Sequence, residues 1–223
     1  MTTRSAFDRQ LNELLQDVLT LAEMVESQLT EAIKALEVYD VARAQRVADY
    51  DSRINRLRYE IEENAYTLLA LQSPMARDMR RIVAMVSVVT NLERMGDHAA
   101  GIARLVIRMA NSACTISCAK FDQMAELSIA MLRDAMTALD TQDVALAKGV
   151  INRDEQVDAL HKAVYDELIA TMTNDPATVE CATMLMWCSH NLERYADRVS
   201  NICDRIMYLI TGNLHEARID PMP

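Results

Sequence analysis

The 223-residue chain carries 33 Asp and Glu against 23 Lys and Arg, a formal net charge of −10. A surface of that average sign repels the nucleic-acid backbone, so we expect no nucleic-acid partner. Apolar residues make up 51% of the chain, yet only 4 residues are Gly, 4 are Pro and 4% are aromatic. This composition favours helices over sheets.

Three long helices are predicted before residue 112. Apolar residues recur at steps of three and four over 11–36, over 54–68 and over 79–106, the spacing of one buried helical stripe. The stripe of the third helix includes Met79 and Val83. Pro74 ends the second helix, because proline disfavours helical geometry in the residue before it.

The same plan follows once more after a connection at 112–118, where the period is lost. Apolar stripes recur over 124–139, 157–172 and 184–209, and Gly212 is a typical C-terminal helix cap. We therefore predict an all-α fold of two tandem, similar three-helix bundles with six long helices. The predicted domains are 1–111 and 119–212, followed by a C-terminal tail at 213–223.

The chain also offers no segment suited to a membrane or to secretion. The longest stretch without Asp, Glu, Lys or Arg is 64–76, 13 residues, which is too short to cross a bilayer. The N-terminus lacks the apolar core of a signal peptide. Most of the five cysteines fall within apolar helical patterns, as expected of reduced thiols in a cytoplasmic protein.

One motif, Asn-Leu-Glu-Arg-x-x-Asp, occurs at 91–97 and again at 191–197, an offset of 100 residues. In each copy the Glu and the Asp are four residues apart, so they share a helical face one turn apart. A single pair of this kind is typical of a solvated face. Helix packing does not require the pair twice, so the duplication favours a functional site.

The preceding helix of each half also carries polar residues four apart. If these faces meet the motif, two to four carboxylates converge, and oxygen-rich clusters suit hard cations such as Mg²⁺, Mn²⁺, Ca²⁺ or iron. Asn201 extends the second stripe by one turn, where the first has Gly101. The candidate metal ligands are Glu93, Asp97, Glu193, Asp197, Asp51, Asp154, Asp158 and Asn201.

No catalytic constellation accompanies these carboxylates, and we expect no enzyme. A di-iron carboxylate protein draws two Glu-x-x-His motifs from its bundle, whereas this chain has none and offers only Asp158-x-x-His161. Gly-rich phosphate loops and nucleophile elbows are absent from the sequence. A metal-storage or carboxylate-bridged bundle protein and a plain helical scaffold are the alternatives to a signalling protein.

Four segments together resemble the PhoU family of phosphate-transport regulators over nearly the whole chain. They are "SPMARDMRRI" at 73–82, "NLERMGDHAAGIA" at 91–103, "RDEQVDALH" at 153–161 and "NLERYADRVSNICDRIMYLITG" at 191–212. The resemblance implies a non-enzymatic cytoplasmic protein, often a homodimer, with metal clusters of iron, manganese, magnesium or a similar cation on its Glu/Asp-x3-Asp motifs. Gly101 and Asn55 depart from the family pattern, which weakens the first site.

The resemblance also implies a role. Such a protein is a negative regulator of phosphate uptake and phosphate-starvation signalling, an adaptor between a sensor histidine kinase and the ATPase of a phosphate ABC transporter. It meets the membrane only through these partners. The candidate contact with these partners is Ala76, Asp78 and Arg80, at the start of the third helix. This segment has no counterpart in the second half.

Overall fold

The computed structural model describes residues 3–72, 74–110, 116 and 119–213. Within these residues all regular secondary structure is helical, with no strand. The α-helices are α1 (Thr3–Glu37), α2 (Val41–Gln72), α3 (Ala76–Met109), α4 (Ala119–Thr141), α5 (Val144–Ile151), α6 (Asp154–Asn174) and α7 (Val179–Thr211). A 3-10 turn, Pro176–Thr178, precedes α7.

Local chemistry explains where several helices begin and end. The Asp143 carboxylate caps α5 by accepting hydrogen bonds from the backbone N–H groups of Ala145 and Leu146, at 2.8 and 3.0 Å. Gly212 ends α7 in the left-handed conformation, with φ of 77°, and its N–H donates to the carbonyl of Tyr208. The C-terminal cap predicted at this glycine is confirmed.

The predicted all-α architecture is confirmed, with one difference in the second half. In the second half, two helices, α5 and α6, take the place of α2 and are separated at Asn152 and Arg153. At this break the N–H of Arg153 donates to the carbonyl of Val150, and the Arg153 guanidinium pairs with Asp134 of α4. The apolar stripe used for the prediction began only at Val157, so it gave no signal for α5.

Helices α3 and α7 form the centre of the molecule and make its most extensive contact. They run antiparallel, since Gly101 of α3 lies beside Asn191 while Arg80, nearer the start of α3, lies beside Gly212. Helices α1 and α2 pack on α3, and α4, α5 and α6 pack on α7. One continuous apolar core runs through both bundles. The boundary predicted at 112–118 falls almost wholly outside the described residues and stays a prediction.

The cysteines depart in part from the expectation of reduced thiols. Cys188 and Cys203 are buried thiols outside any disulfide, as the apolar pattern predicted, but Cys181 is disulfide-bonded. None of the described helices combines the length and apolar character that crossing a membrane requires.

Candidate functional site

Asp51 of α2 and the pair Glu93 and Asp97 of α3 form what we call the first acidic cluster. Burial raises the pKa of Asp51 and of Glu93, and the charge of Asp97 raises both further. Asn55 donates a hydrogen bond from Nδ2 to Asp51 Oδ2 at 3.2 Å. The packing of α2 on α3 therefore brings three predicted ligands together, as the sequence suggested.

Two arginines compensate the first acidic cluster only loosely. Arg58 Nη1 is 3.9 Å from Glu93 Oε1, while the Nε of the same arginine binds Glu62 at 3.1 Å. Arg104 Nη2 is 3.9 Å from Asp51 Oδ2. The other oxygen of Asp51, Oδ1, is buried without a hydrogen-bond partner. The cluster thus holds more negative charge than its neighbours neutralise.

A second acidic cluster consists of Asp158 of α6 with Glu193 and Asp197 of α7. Burial raises the pKa of both Asp158 and Glu193, and Asp197 is the next cause in each case. Arg194 Nη1 donates to Asp197 Oδ2 at 2.8 Å. The two halves therefore repeat the same arrangement of a Glu-x3-Asp pair against an acidic residue of the neighbouring helix.

The second acidic cluster differs from the first in having two histidines beside it. His190 Nδ1 is 3.4 Å from Glu193 Oε2, and His161 Nδ1 is 2.7 Å from Ser189 Oγ. The two imidazole rings are 6.4 Å apart, and the exposed Trp187 lies edge-on to His190 at 5.8 Å. Sequence reasoning set these histidines aside, although each lies three residues from a carboxylate of the cluster.

Two other predicted ligands each lie one helical turn from a member of the second acidic cluster. Asp154 is only 2% exposed in the first turn of α6, and Asn201 is exposed one turn beyond Asp197. Neither contributes to the electrostatic interactions that raise the pKa of Asp158 and Glu193. Their role as ligands stays a prediction.

Gln28 of α1 lies beside the first acidic cluster, and the sequence reasoning missed it. It is 2% exposed, and its Nε2 donates to the carbonyl of Val47 at 3.3 Å. Its side chain also lies close enough to Asp51 to lower the pKa of that carboxyl. A Cβ on Gly96 would lie 3.1 Å from Gln28 Oε1, so the glycine between Glu93 and Asp97 makes room for this amide.

The donor chemistry of both acidic clusters fits a hard cation. Carboxylate oxygens are the ligands that such ions prefer, and Asp51 Oδ1 and Glu193 Oε2 are buried without a hydrogen-bond partner. As the side chains stand, however, no group of three or more His, Cys, Asp or Glu within the described part of the chain could hold a metal ion. Binding would require the carboxylates to rotate toward one another.

The predicted partner segment lies at the corner where α2 meets α3. Ala76 is exposed, whereas Asp78 and Arg80 are partly buried. The Nη1 of Arg80 would be 3.1 Å from a Cβ on Gly212, and its Nε is buried without a hydrogen-bond partner. Arg80 therefore packs on the end of α7, and only part of this segment is open to a partner.

Exposed apolar side chains surround Ala76. Met75, Met79 and Val83 are four residues apart along one face and are 77%, 42% and 46% exposed, and Leu71 is 75% exposed. The expectation that Met79 and Val83 belong to the buried stripe is wrong, because the stripe of Ile82, Met85 and Val89 faces the core instead. We call Leu71, Met75, Met79 and Val83 the apolar corner.

These features define a helical protein of two repeated bundles. In each bundle a Glu-x3-Asp stripe on the central helix faces an acidic residue of the neighbouring helix. Comparison with known proteins identifies the family. The PhoU domain model matches residues 18–106 and again residues 121–206, one match in each bundle. The chain belongs to the PhoU family.

Relatives and solved structures agree with this assignment. The chain is 35% identical over 211 residues to the "Phosphate-specific transport system accessory protein PhoU homolog" of Streptococcus pneumoniae, covering 95% of this chain and 98% of the relative. It is 36% identical over 214 residues to the homolog from Caulobacter vibrioides, covering 94% and 92%. The crystal structure of the phosphate transport system regulatory protein PhoU from Streptococcus pneumoniae superposes with a TM-score of 0.88 at 34% identity, covering 94% of this chain and 99% of that one.

Proposed function

We propose that this protein is a non-enzymatic accessory regulator of a phosphate transport system and acts by binding partners. The observation that carries the proposal is the PhoU match in both bundles. The names of relatives such as the Streptococcus pneumoniae protein support it. Fold alone does not imply function, so the regulatory role rests on the family match.

The finer proposal is an adaptor that holds a sensor histidine kinase and the ATPase of a phosphate ABC transporter in the signalling-off state when phosphate is plentiful. In this role the protein is cytoplasmic, homodimeric and peripheral to the membrane. The apolar corner supports a docking role, because four large apolar side chains exposed together are typical of a protein interface. Arg77, exposed within the same segment, gives this corner a positive charge on an otherwise acidic protein.

The acidic clusters give the adaptor a second property, the binding of hard cations such as iron, manganese or magnesium. Glu93 and Asp97 would hold one ion or cluster together with Asp51. Glu193 and Asp197 would hold another together with the acidic residues of α6. Burial raises the pKa of Glu93 and Glu193, and repulsion by Asp97 and Asp197 raises it further; a bound cation would cancel that repulsion.

A gene-replacement experiment tests the regulatory role. Deleting the gene should switch on phosphate-starvation genes in phosphate-rich medium, and the wild-type copy should restore repression. Ala76→Glu should fail to restore it while the protein stays folded, because Ala76 is exposed and an acidic residue is favourable in the first turn of a helix. The matched control is Ala177→Glu, an exposed alanine at the corresponding corner of the second half, which should restore repression.

The same strains decide between the adaptor and a metal-storage protein, which the acidic clusters also favour. Normal phosphate responses in the deletion strain, together with altered iron or manganese content, would overturn the adaptor role and support storage. Asp78→Ala with Arg80→Ala is a less direct variant, because Arg80 also packs against the end of α7.

A further inference from the structure

Three arginines lie between the two acidic clusters, along the seam where α3 meets α7. Arg94 follows Glu93 on α3, and Arg194 and Arg198 flank Asp197 on α7. We call Arg94, Arg194 and Arg198 the arginine cluster. Arg94 belongs to the first bundle and Arg194 and Arg198 belong to the second, so the cluster forms only where the two bundles pack together.

The register of the two helices places these arginines together. Asn191 Oδ1 is 3.1 Å from His98 Nδ1 and 3.0 Å from a Cβ built on Gly101. Because the helices are antiparallel, one turn forward on α7 from Asn191 reaches Arg194, and one turn back on α3 from His98 reaches Arg94. Asn191 Nδ2 donates to the carbonyl of Trp187 at 2.8 Å, which orients Oδ1 toward His98.

The arginine cluster has hydrogen-bonding capacity that the protein leaves unused. Arg198 Nε is buried and has no hydrogen-bond partner within the described part of the chain, a costly state for a charged donor. Arg194 uses Nη1 to bind Asp197, but a guanidinium has five N–H donors. Arg94 is exposed. The cluster therefore has N–H donors that could bind an anion.

The three guanidinium groups of the arginine cluster lie close enough to act on one another. Arg194 and Arg94 are near enough to Arg198 to repel its guanidinium, while Asp197 attracts it. An anion placed among the three guanidinium groups would reverse this repulsion. The three arginine charges are present without any bound cation, so the inference does not require metal at the acidic clusters.

We infer that the arginine cluster binds a phosphate-sized tetrahedral oxyanion, with inorganic phosphate as the ligand. Planar guanidinium groups match the oxygens of such an anion with paired hydrogen bonds. The choice of phosphate among oxyanions rests on the proposed function, whereas the site itself rests on the geometry of the seam. The protein would then sense phosphate directly, at the interface between its two bundles.

Isothermal titration of the EDTA-treated protein with inorganic phosphate tests this inference, since removing metals excludes phosphate bound through a cation. Saturable binding is expected for the wild type. Arg198→Gln and Arg94→Gln should each weaken it at least tenfold, the loss of one charge-assisted hydrogen-bonding group. The matched control is Arg205→Gln on α7, which removes the same charge beyond the cluster and should change the affinity less than twofold.

Arg94→Gln keeps the inference falsifiable if Arg198→Gln unfolds, because Arg94 is exposed. No saturable binding by the wild type up to about 10 mM phosphate, a range far weaker than most specific sites, would overturn the inference. Equal losses in Arg205→Gln would also overturn it. Tighter binding of ADP or of sulfate than of phosphate would contradict phosphate as the ligand. These titrations are independent of the gene-replacement result, so either can fail alone.

Discussion

Neutralising the second acidic cluster should stabilise the metal-free protein and abolish its response to metal. Glu193→Gln with Asp197→Asn removes all three repulsions among Asp158, Glu193 and Asp197. At about 0.2–0.5 kcal/mol for each like-charge pair, the gain is about 1 kcal/mol. Losing the bond between Arg194 and Asp197 costs about 0.5 kcal/mol, so the free energy of unfolding should rise by about 0.5 kcal/mol.

Metal should reverse the order of stability. A cation at 100 times its dissociation constant stabilises the folded state by about 2.7 kcal/mol, which raises the melting temperature by about 5–11 °C for a chain of this size. The assay is thermal and urea unfolding in EDTA and then with MnCl₂. With the first cluster intact, the variant should lose the part of the response that belongs to the second cluster.

The matched control neutralises two exposed carboxylates outside the cluster. Asp166→Asn with Glu180→Gln changes the net charge equally on α6 and α7, and it should retain the full metal response. An unchanged response in the Glu193 and Asp197 variant would refute the second cluster as a metal site. A large loss of stability in EDTA would refute the repulsion on which the prediction depends.

Two further predictions follow from the packing. Gly96→Ala should lower the free energy of unfolding by about 1 kcal/mol, because its Cβ would crowd Gln28 and Ile54 at 3.1–3.3 Å and this overpacking outweighs the gain in helix propensity. Gly149→Ala has open space around it and should raise the free energy of unfolding by a similar amount. Urea unfolding that ranks the two variants the other way would contradict this. Burial and adjacent carboxylates raise the pKa of Asp122 to about 6 from 3.8, so this group costs no stability below pH 3.8, a growing amount as the pH rises to 6, and its full amount above 6. Urea unfolding of Asp122→Asn should show a gain of about 1 kcal/mol at pH 8, discounted for exposure, which fades toward pH 4, and a gain independent of pH would count against the assignment.

The repeated apolar period predicted the fold because each helix buries one stripe and the chain repeats the same order of stripes. It failed at α5, whose eight residues are too few to show a period. It also misplaced Met79 and Val83, because apolar residues at steps of four on an exposed face have the same spacing as a buried stripe. Burial depends on which face meets a neighbour, and a single helix does not encode that.

The candidate site was predictable where the motif itself repeats. Glu93 and Asp97, like Glu193 and Asp197, share a face by helical geometry alone. Gln28 was not predictable, since its contact with Asp51 and Gly96 depends on how α1 lies against α2 and α3. The arginine cluster likewise exists only through the register of α3 against α7, which joins residues one hundred positions apart.

The central claim, that this protein acts by binding signalling and transport partners, is tested most directly by recovering those partners. Tagged protein from cells grown in phosphate-rich medium should retain both the sensor histidine kinase and the transporter ATPase after mild crosslinking. Ala76→Glu should lose at least one of them, and Ala177→Glu should retain both. Failure of the folded wild-type protein to retain either partner would contradict the claim.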